Sequence, residues 1–238
     1  MTNNIKLSKR LKQTASFLPK GSKFADIGSD HAYLPCYVCL EDKQAKAIAG
    51  EINEGPFQSA TQTVRGHGLE EVIDVRLGDG LEILTAGEVT QVVIAGMGGS
   101  LIRSILQKGK DKIESVDRII AQPNVDARDV REWFVHNNFM ISEETIIEEN
   151  GHIYEIVVGD RHSGAVYPEL SEKQLLFGPI LLVNKTKAFY TKWAEEYEKL
   201  KRVIDQMRLA KLLDKEKLNR FERELQWMEE VLQNEDES

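Results

Sequence analysis

The sequence predicts an α/β fold: an open, mostly parallel sheet of seven strands that closes through an antiparallel hairpin and is followed by a C-terminal α-helical hairpin. Three features point there. Short apolar runs alternate with helical stretches through residues 23–122, an Asn150-Gly151 step separates two extended runs, and from about residue 184 apolar side chains recur at helical spacing. Alternating β and α segments build parallel sheets through crossovers, whereas a tight turn joins antiparallel neighbours.

In chain order, LSKRLKQTASFL (residues 7–18) sets Leu7, Leu11, Ala15 and Leu18 on one helical face, and Pro19 and Gly21 end that helix. Strands are expected at Lys23–Gly28, Lys46–Ile52, Ile73–Gly78, Gln91–Met97 and Asp117–Gln122. Their cores, such as VVIAG and RIIAQ, are apolar throughout, as in strands covered on both faces. Helices over 34–42, 55–67 and 99–109 provide the crossovers. Next, DARDVREWFVHNN begins at an expected N-cap, Asp126, and carries Trp133 on its core face. FMISEETIIEE and HIYEIVVGD then form a hairpin through Asn150-Gly151, a strong turn signal. A dinucleotide-binding sheet more often closes with a sixth parallel strand instead.

Beyond residue 184, Phe189, Trp193, Tyr197, Leu200, Ile204 and Met207 form one stripe. After a break near Leu213-Asp214, Leu218, Phe221, Leu225, Met228 and Leu232 form a second. Two amphipathic helices of this length make an antiparallel hairpin, whether as a packing appendage, a dimer contact or an arm for a large substrate. The expected division is residues 1–165 for the sheet domain with its basic N-terminal helix, and residues 166–238 for the helical hairpin.

With 238 residues, 41% hydrophobic and 29% charged, the chain can bury a substantial core. No apolar run approaches the roughly 20 residues of a membrane span, and MTNNIKLSKR lacks the apolar stretch of a secretion signal, so a cytoplasmic location is expected. The net charge of -8 argues against nucleic acid only as an average, because residues 1–24 hold Lys6, Lys9, Arg10, Lys12, Lys20 and Lys23 and no acid. Lys185 to Arg223 likewise carries twelve Lys or Arg against seven Asp or Glu. Cys36 and Cys39 are the only cysteines. They fall inside a helix with no further ligand pair nearby, so they read as buried apolar residues and no metal is expected.

Ligands of an open parallel sheet bind beyond the carboxyl ends of its strands. Four such ends carry suggestive residues. Gly28-Ser29-Asp30-His31 ends the first strand, where Gly28 lets backbone approach a ligand and the next helix offers N–H groups to a carboxylate. Glu51-Ile52 ends the second, where an acid can accept ribose hydroxyls. Asp79-Gly80 follows the third and suits an adenine amino group, although an acid there can equally be a helix cap. Gly96, Met97, Gly98 and Gly99 follow the fourth and leave room against the backbone. In this order they form the arrangement that holds S-adenosylmethionine. NAD stays open as an alternative, but the G-x-G-x-x-G of a pyrophosphate site is missing, and no G-K-[ST] marks a P-loop.

The stretches LSKRLKQTASFLPKG, ADIGSDHAYLP, GDGLE, IAGMGG and QPN, in that order, resemble the bacterial tRNA (adenine-22, N1)-methyltransferase family over essentially the whole chain. The resemblance implies a Rossmann-like class I methyltransferase sheet, S-adenosylmethionine as cofactor, tRNA as partner and N1 of adenine 22 as acceptor. Of the general G-x-G-x-G pattern only Gly28 remains, with Asp30 and Ala32 in the other two places, which reads as a family variant.

Adenine N1 carries an in-plane lone pair and needs no deprotonation, so alignment of nucleophile, methyl and sulfur supplies most of the acceleration. Asp30, His31 and Asn124 are the catalytic candidates; Asp30 and His31 can serve the cofactor or the base, and His31 can also simply bond within its loop. N1 lies on the Watson–Crick edge, so the base must first leave its stack. Tyr33 can stack on it, with Gly98, Gly99 and Gln122 beside it, while Lys6, Lys9 and Arg10 are the candidate phosphate contacts. A monomer is expected. Methylation of a small molecule and a non-catalytic RNA-binding module are the competing functions.

Overall fold

In the computed structural model, which describes residues 5–162, 164, 169–210, 212 and 214–233, seven strands form one sheet. They are Lys23–Ile27 (β1), Lys46–Glu51 (β2), Ile73–Leu77 (β3), Gln91–Gly98 (β4), Arg118–Val125 (β5), Phe139–Glu149 (β6) and His152–Arg161 (β7). Their spatial order is β3-β2-β1-β4-β5-β7-β6. The first five are parallel, and β7 inserts antiparallel between β5 and β6. The Asn-Gly turn that makes this possible has positive φ at both residues, 53° at Asn150 and 76° at Gly151. The expected seven-stranded sheet is therefore the one found.

Helices Lys9–Ser16 (α1), Tyr33–Glu41 (α2) and Glu54–Gly66 (α3) pack together, and Gly99–Lys108 (α4) packs with Ala127–His136 (α5). Between α1, α2 and α3 and the sheet lies a core of small and apolar side chains, including Ala15, Phe24, Leu34, Cys36, Cys39, Ala49 and Val93. Both cysteines are free and buried, and burial pushes each thiol up to about 12, which leaves them inert packing groups as expected.

Two expectations are corrected. β5 continues to Val125, three residues beyond its expected end at Gln122, so Pro123 and Asn124 are also strand. A proline is tolerated there because the β4–β5 register shifts at Ala95/Met97, so the ladder is already irregular. Asp126 does precede α5, but its backbone is left-handed at φ 56° and its carboxylate makes no capping bond.

The closing hairpin is held by a buried ion cluster. Arg131 of α5, wholly buried, donates from Nε to Glu144 Oε1 of β6 at 2.6 Å and from Nη2 to Glu155 of β7. Trp133, Phe134 and Phe139 form an aromatic cluster of edge-on and tilted contacts, with Trp133 on the core face as expected.

The chain divides into two compact units, Met1–Glu169 and Leu170–Ser238. The expected boundary between residues 165 and 166 and Leu213 of the expected helical break lie outside the described residues. In the second unit, Lys187–Arg208 (α7) and Lys215–Gln233 (α8) pack on each other, preceded by a short helix, Glu172–Phe177 (α6), that the sequence reading lacked. Phe177 fits edge-on against Trp193 at 4.4 Å, and Phe189, Trp193, Ile204 and Met228 of the two expected stripes are buried. Arg208 at the end of α7 reaches Glu222 of α8 at 2.6 Å, consistent with an antiparallel pair.

Removing Arg131 would leave two carboxylates buried without their cation. Arg131→Leu is expected to lower stability by about 3–5 kcal/mol, measured by urea denaturation of the full chain; a loss below about 1 kcal/mol would show that the cluster does not hold the hairpin.

Candidate functional site

Strand order reverses between β1 and β4, so the carboxyl ends of β1, β2, β4 and β5 share one edge of the sheet. At the end of β1 the chain turns sharply. Gly28 has φ 70°, and both Gly28 and Ser29 donate their N–H groups to the Gly50 carbonyl, at 2.9 and 3.1 Å. A Cβ at Gly28 would overlap the terminal methyl of Met97, which lies directly over the turn. Asp30, His31 and Ala32 then follow with φ of 44°, 69° and 57°. Three consecutive non-glycine residues in the left-handed region cost of order 1–3 kcal/mol each. The loop thus adopts the backbone that glycines would have made easy, and α2 begins straight after it at Tyr33.

Around this turn the structure gathers carboxyl groups. Glu51, at the end of β2, is buried; one of its oxygens has no hydrogen-bond partner, and burial raises its pKa, opposed by the Asp30 N–H that bonds the carboxylate. Asp26, within β1, is 3% exposed and accepts the Ser29 hydroxyl at 2.7 Å. Burial pushes the Asp26 carboxyl up to about 7 against that hydrogen bond, and repulsion from Glu51 and Asp30 adds to the rise. The Asp30 side chain is 86% exposed, 3.4 Å from His31 Nε2, and the His31 ring stacks on Tyr33 at 5.3 Å. Asp26 was missed from the sequence; an acid inside the apolar run FADI was the available signal.

Asp79 follows β3 and leads into a 3-10 turn, Gly80–Ile83, without making a capping bond. Its carboxylate lies 3.8 Å from Lys108 Nζ and is otherwise open to solvent. Apolar side chains exposed along the same edge are Ile52, Leu101 and Val125.

The end of β4 is a bulge at Gly96, where φ is 79°. The bulge takes the Gly96 peptide groups out of the ladder, and side chains of β5 replace the lost partners. Gln122 Oε1 accepts the Gly96 N–H at 3.0 Å, and Asn124 Nδ2 donates to the Gly96 carbonyl at 2.8 Å. Gln122 is wholly buried and lies beneath the site surface, whereas Asn124 is exposed. Gly98 sits against Val125, and Gly99 is buried where a Cβ would overlap the Asp126 carbonyl, so Gly99 permits a crossing of chains.

The N-terminal basic residues divide. Lys6 and Lys9 are exposed, but Arg10 is turned inward, donating to Gln122 Oε1 with its guanidinium 5.2 Å above the Tyr154 ring. Glu149, at the tip of the closing hairpin, accepts the free N–H groups of Lys9 and Arg10 and so clamps the first turn of α1 to this edge. Tyr154 and Glu149 carry no local motif and were not foreseen.

Because the Asp26 pKa lies above its unfolded value, its contribution to stability is fully present below about pH 4 and is lost as pH rises through about 7. Asp26→Asn keeps an acceptor for Ser29 and removes the titration. The variant is expected to gain in melting temperature over the wild type between pH 5 and pH 8; parallel pH profiles for the two proteins would show that Asp26 titrates normally.

The comparisons with known proteins agree with this geometry. The sequence model of the family described as tRNA (adenine(22)-N(1))-methyltransferase matches residues 24–230. A protein of that name from Bacillus subtilis is 43% identical over 236 residues, covering 97% of this chain and 98% of the relative. The crystal structure of the B. subtilis M1A22 tRNA methyltransferase TrmK superposes with a TM-score of 0.88 at 41% identity, covering 96% of this chain and 99% of that one. M. capricolum TrmK, in complex with S-adenosyl-homocysteine, superposes at 0.80 with 27% identity, covering 95% and 98%. The chain belongs to the tRNA (adenine(22)-N(1))-methyltransferase family.

Proposed function

We propose that the chain transfers a methyl group from S-adenosylmethionine to N1 of adenine 22 in tRNA. The observation that carries this reading is the buried, unpartnered oxygen of Glu51 beside the Gly28 turn, within a chain of this family. A buried polar atom without a partner marks a place where a ligand completes the bonding, and ribose hydroxyls are the donors that fit a carboxylate there. A cofactor product bound in a relative, S-adenosyl-homocysteine, supports the same choice.

The residues present fit the cofactor. Glu51 would hold the ribose, Ile52 and Asp79 with Gly80 the adenine, and Gly28, Ser29 and the start of α2 the methionine carboxylate, with Gly96 and Met97 closing over it. When bound, S-adenosylmethionine supplies an electrophilic methyl group on a sulfonium. The chain's own contribution is placement. Asp30, His31 and Tyr33 present an exposed carboxylate and a stacked pair of rings at the mouth, suited to hold a flipped base by its face. Asn124 offers an amide at the end of β5 for the base edge. No base is needed to deprotonate N1, and the exposed Asp30 carboxylate would offset the charge that the adenine acquires. Exposed Lys6, just before α1, and Lys9, at its start, would contact phosphates, and Gly98 would line the approach.

No helix among the described residues is long and apolar enough to cross a membrane, and no group of three or more His, Cys, Asp or Glu there could hold a metal. We place the activity in the cytoplasm, carried by a monomer whose sheet domain performs the transfer and whose helical hairpin meets the body of the tRNA.

Incubation with labelled S-adenosylmethionine and unmodified tRNA is expected to yield N1-methyladenosine at position 22; absence of label in tRNA, with cofactor bound, would refute the reading. Glu51→Gln is expected to weaken cofactor affinity by about 1.5–3 kcal/mol while leaving the free protein as stable or more so, because a buried charge with an unpartnered oxygen is removed. Calorimetry and thermal melting of the same samples check both; unchanged affinity would place the ribose elsewhere.

A further inference from the structure

Gln122 connects α1 to the acceptor side of the site, and its amide can face only one way. Its Oε1 receives two donors, the Gly96 N–H at 3.0 Å and the Arg10 guanidinium. Turning the amide over would set its NH2 group against both, one of them a full positive charge. Nε2 must therefore face the other side, where it donates to the Pro123 carbonyl at 2.9 Å and to Asn124 Oδ1 at 3.3 Å. That bond settles Asn124 in turn. With Oδ1 held by Gln122, Nδ2 meets the Gly96 carbonyl at 2.8 Å. Each amide atom of the exposed Asn124 keeps capacity beyond these bonds, one lone pair on Oδ1 and one hydrogen on Nδ2.

We propose that Arg10 and Gln122 are positioning residues that fix the direction of the Asn124 amide, and through it the preference of the site for a base with an exocyclic amino group. This rests on the reading of the strand ends as an adenine acceptor site. An Oδ1 held in place accepts from the N6 amino group of adenine but meets a second acceptor, O6, in guanine. Arg10 is suited to this task because its own placement is over-determined. The Glu149 carboxylate takes its backbone N–H at 3.3 Å, and the Tyr154 ring supports its guanidinium from below. A charge-assisted bond is also about twice as strong as a neutral one, so Arg10 dominates the choice at Gln122 Oε1.

The alternative is that Arg10 is a phosphate contact, and the two roles separate in kinetics. Steady-state methylation by the full chain is measured on two tRNAs that differ only at the target nucleotide, adenosine against purine riboside. The latter keeps the N1 lone pair and lacks the amino group. Beyond the intrinsic difference in N1 nucleophilicity, read from uncatalysed methylation of the two nucleosides, wild type is expected to prefer adenosine by about tenfold, a value typical of one well-made base contact. Arg10→Gln and Gln122→Glu are each expected to lower kcat on the adenosine tRNA by about tenfold and to reduce the preference below about threefold. The double variant should be no worse than the singles, since the residues act as a unit. Gln122→Glu keeps both acceptor bonds and the side-chain volume, so it decides the matter if Arg10→Gln fails to fold. Cofactor affinity near the wild-type value confirms folding. Retention of the preference in either folded variant would overturn the proposal. So would an effect of Arg10→Gln on KM alone, with the salt slope of tRNA binding lowered by about one. Absence of transfer by the wild type would overturn the adenine-acceptor reading itself, and this proposal with it.

Discussion

β1 and β4 are neighbours, but the crossovers that leave them run in opposite directions, β1 to β2 on one side and β4 to β5 on the other, which opens a crevice between their carboxyl ends. Everything at the site follows from that reversal of strand order. It opens a crevice at one edge, aims the Gly28 turn and the Gly96 bulge into it, and brings the ends of β2 and β5 to either side. The closing hairpin extends the same edge, since β7 starts and β6 ends there, and its tip supplies the Glu149 carboxylate that anchors α1. The N-terminal helix, first in sequence, is thereby made part of the wall nearest β5.

The site is built at a cost to the free protein. Two carboxyl groups, Asp26 and Glu51, are buried within mutual repulsion, Asp30 adds to it, and the loop that carries Asp30 holds three left-handed residues in a row. Arrangements of this kind are found where binding rather than stability has been favoured. A cofactor bearing a sulfonium and an ammonium group has the charge that would relieve this concentration of acid, and in the proposed reading its ribose hydroxyls would donate to the unpartnered Glu51 oxygen. The side formed by the ends of β4 and β5 shows the opposite character. There the Gly96 bulge is fully satisfied by Gln122 and Asn124, and Arg10 completes the set, which makes it a rigid wall.

Much of this was legible in the sequence, for identifiable reasons. Apolar runs of strand length and the Asn150-Gly151 step fixed the sheet and its antiparallel closure, because periodicity and turn chemistry are local. The positions of Gly28 and Glu51 at strand ends were readable because each closes a short apolar run. What stayed hidden depended on distant contacts. Arg10 reads as one more cation in a basic helix, and only the fold turns it inward onto Gln122, 112 positions away. The bonding of Gln122 was likewise hidden: it read as the last residue of its strand, and the bulge that lets β5 run on through Pro123 lies on another strand. Asp26 was hidden by its setting: an acid in a strand core is informative only once its burial is known.

We propose delivery of a methyl group from this edge of the sheet to one nitrogen of one nucleotide. It is tested most directly by mapping base modification in the tRNA of cells with and without the protein, using reverse transcription, which stops at a methylated Watson–Crick edge. The expected result is a stop at adenine 22 that disappears when the protein is removed and returns with the wild-type chain. A stop that persists in its absence, or one that moves to another nucleotide, would contradict the claim.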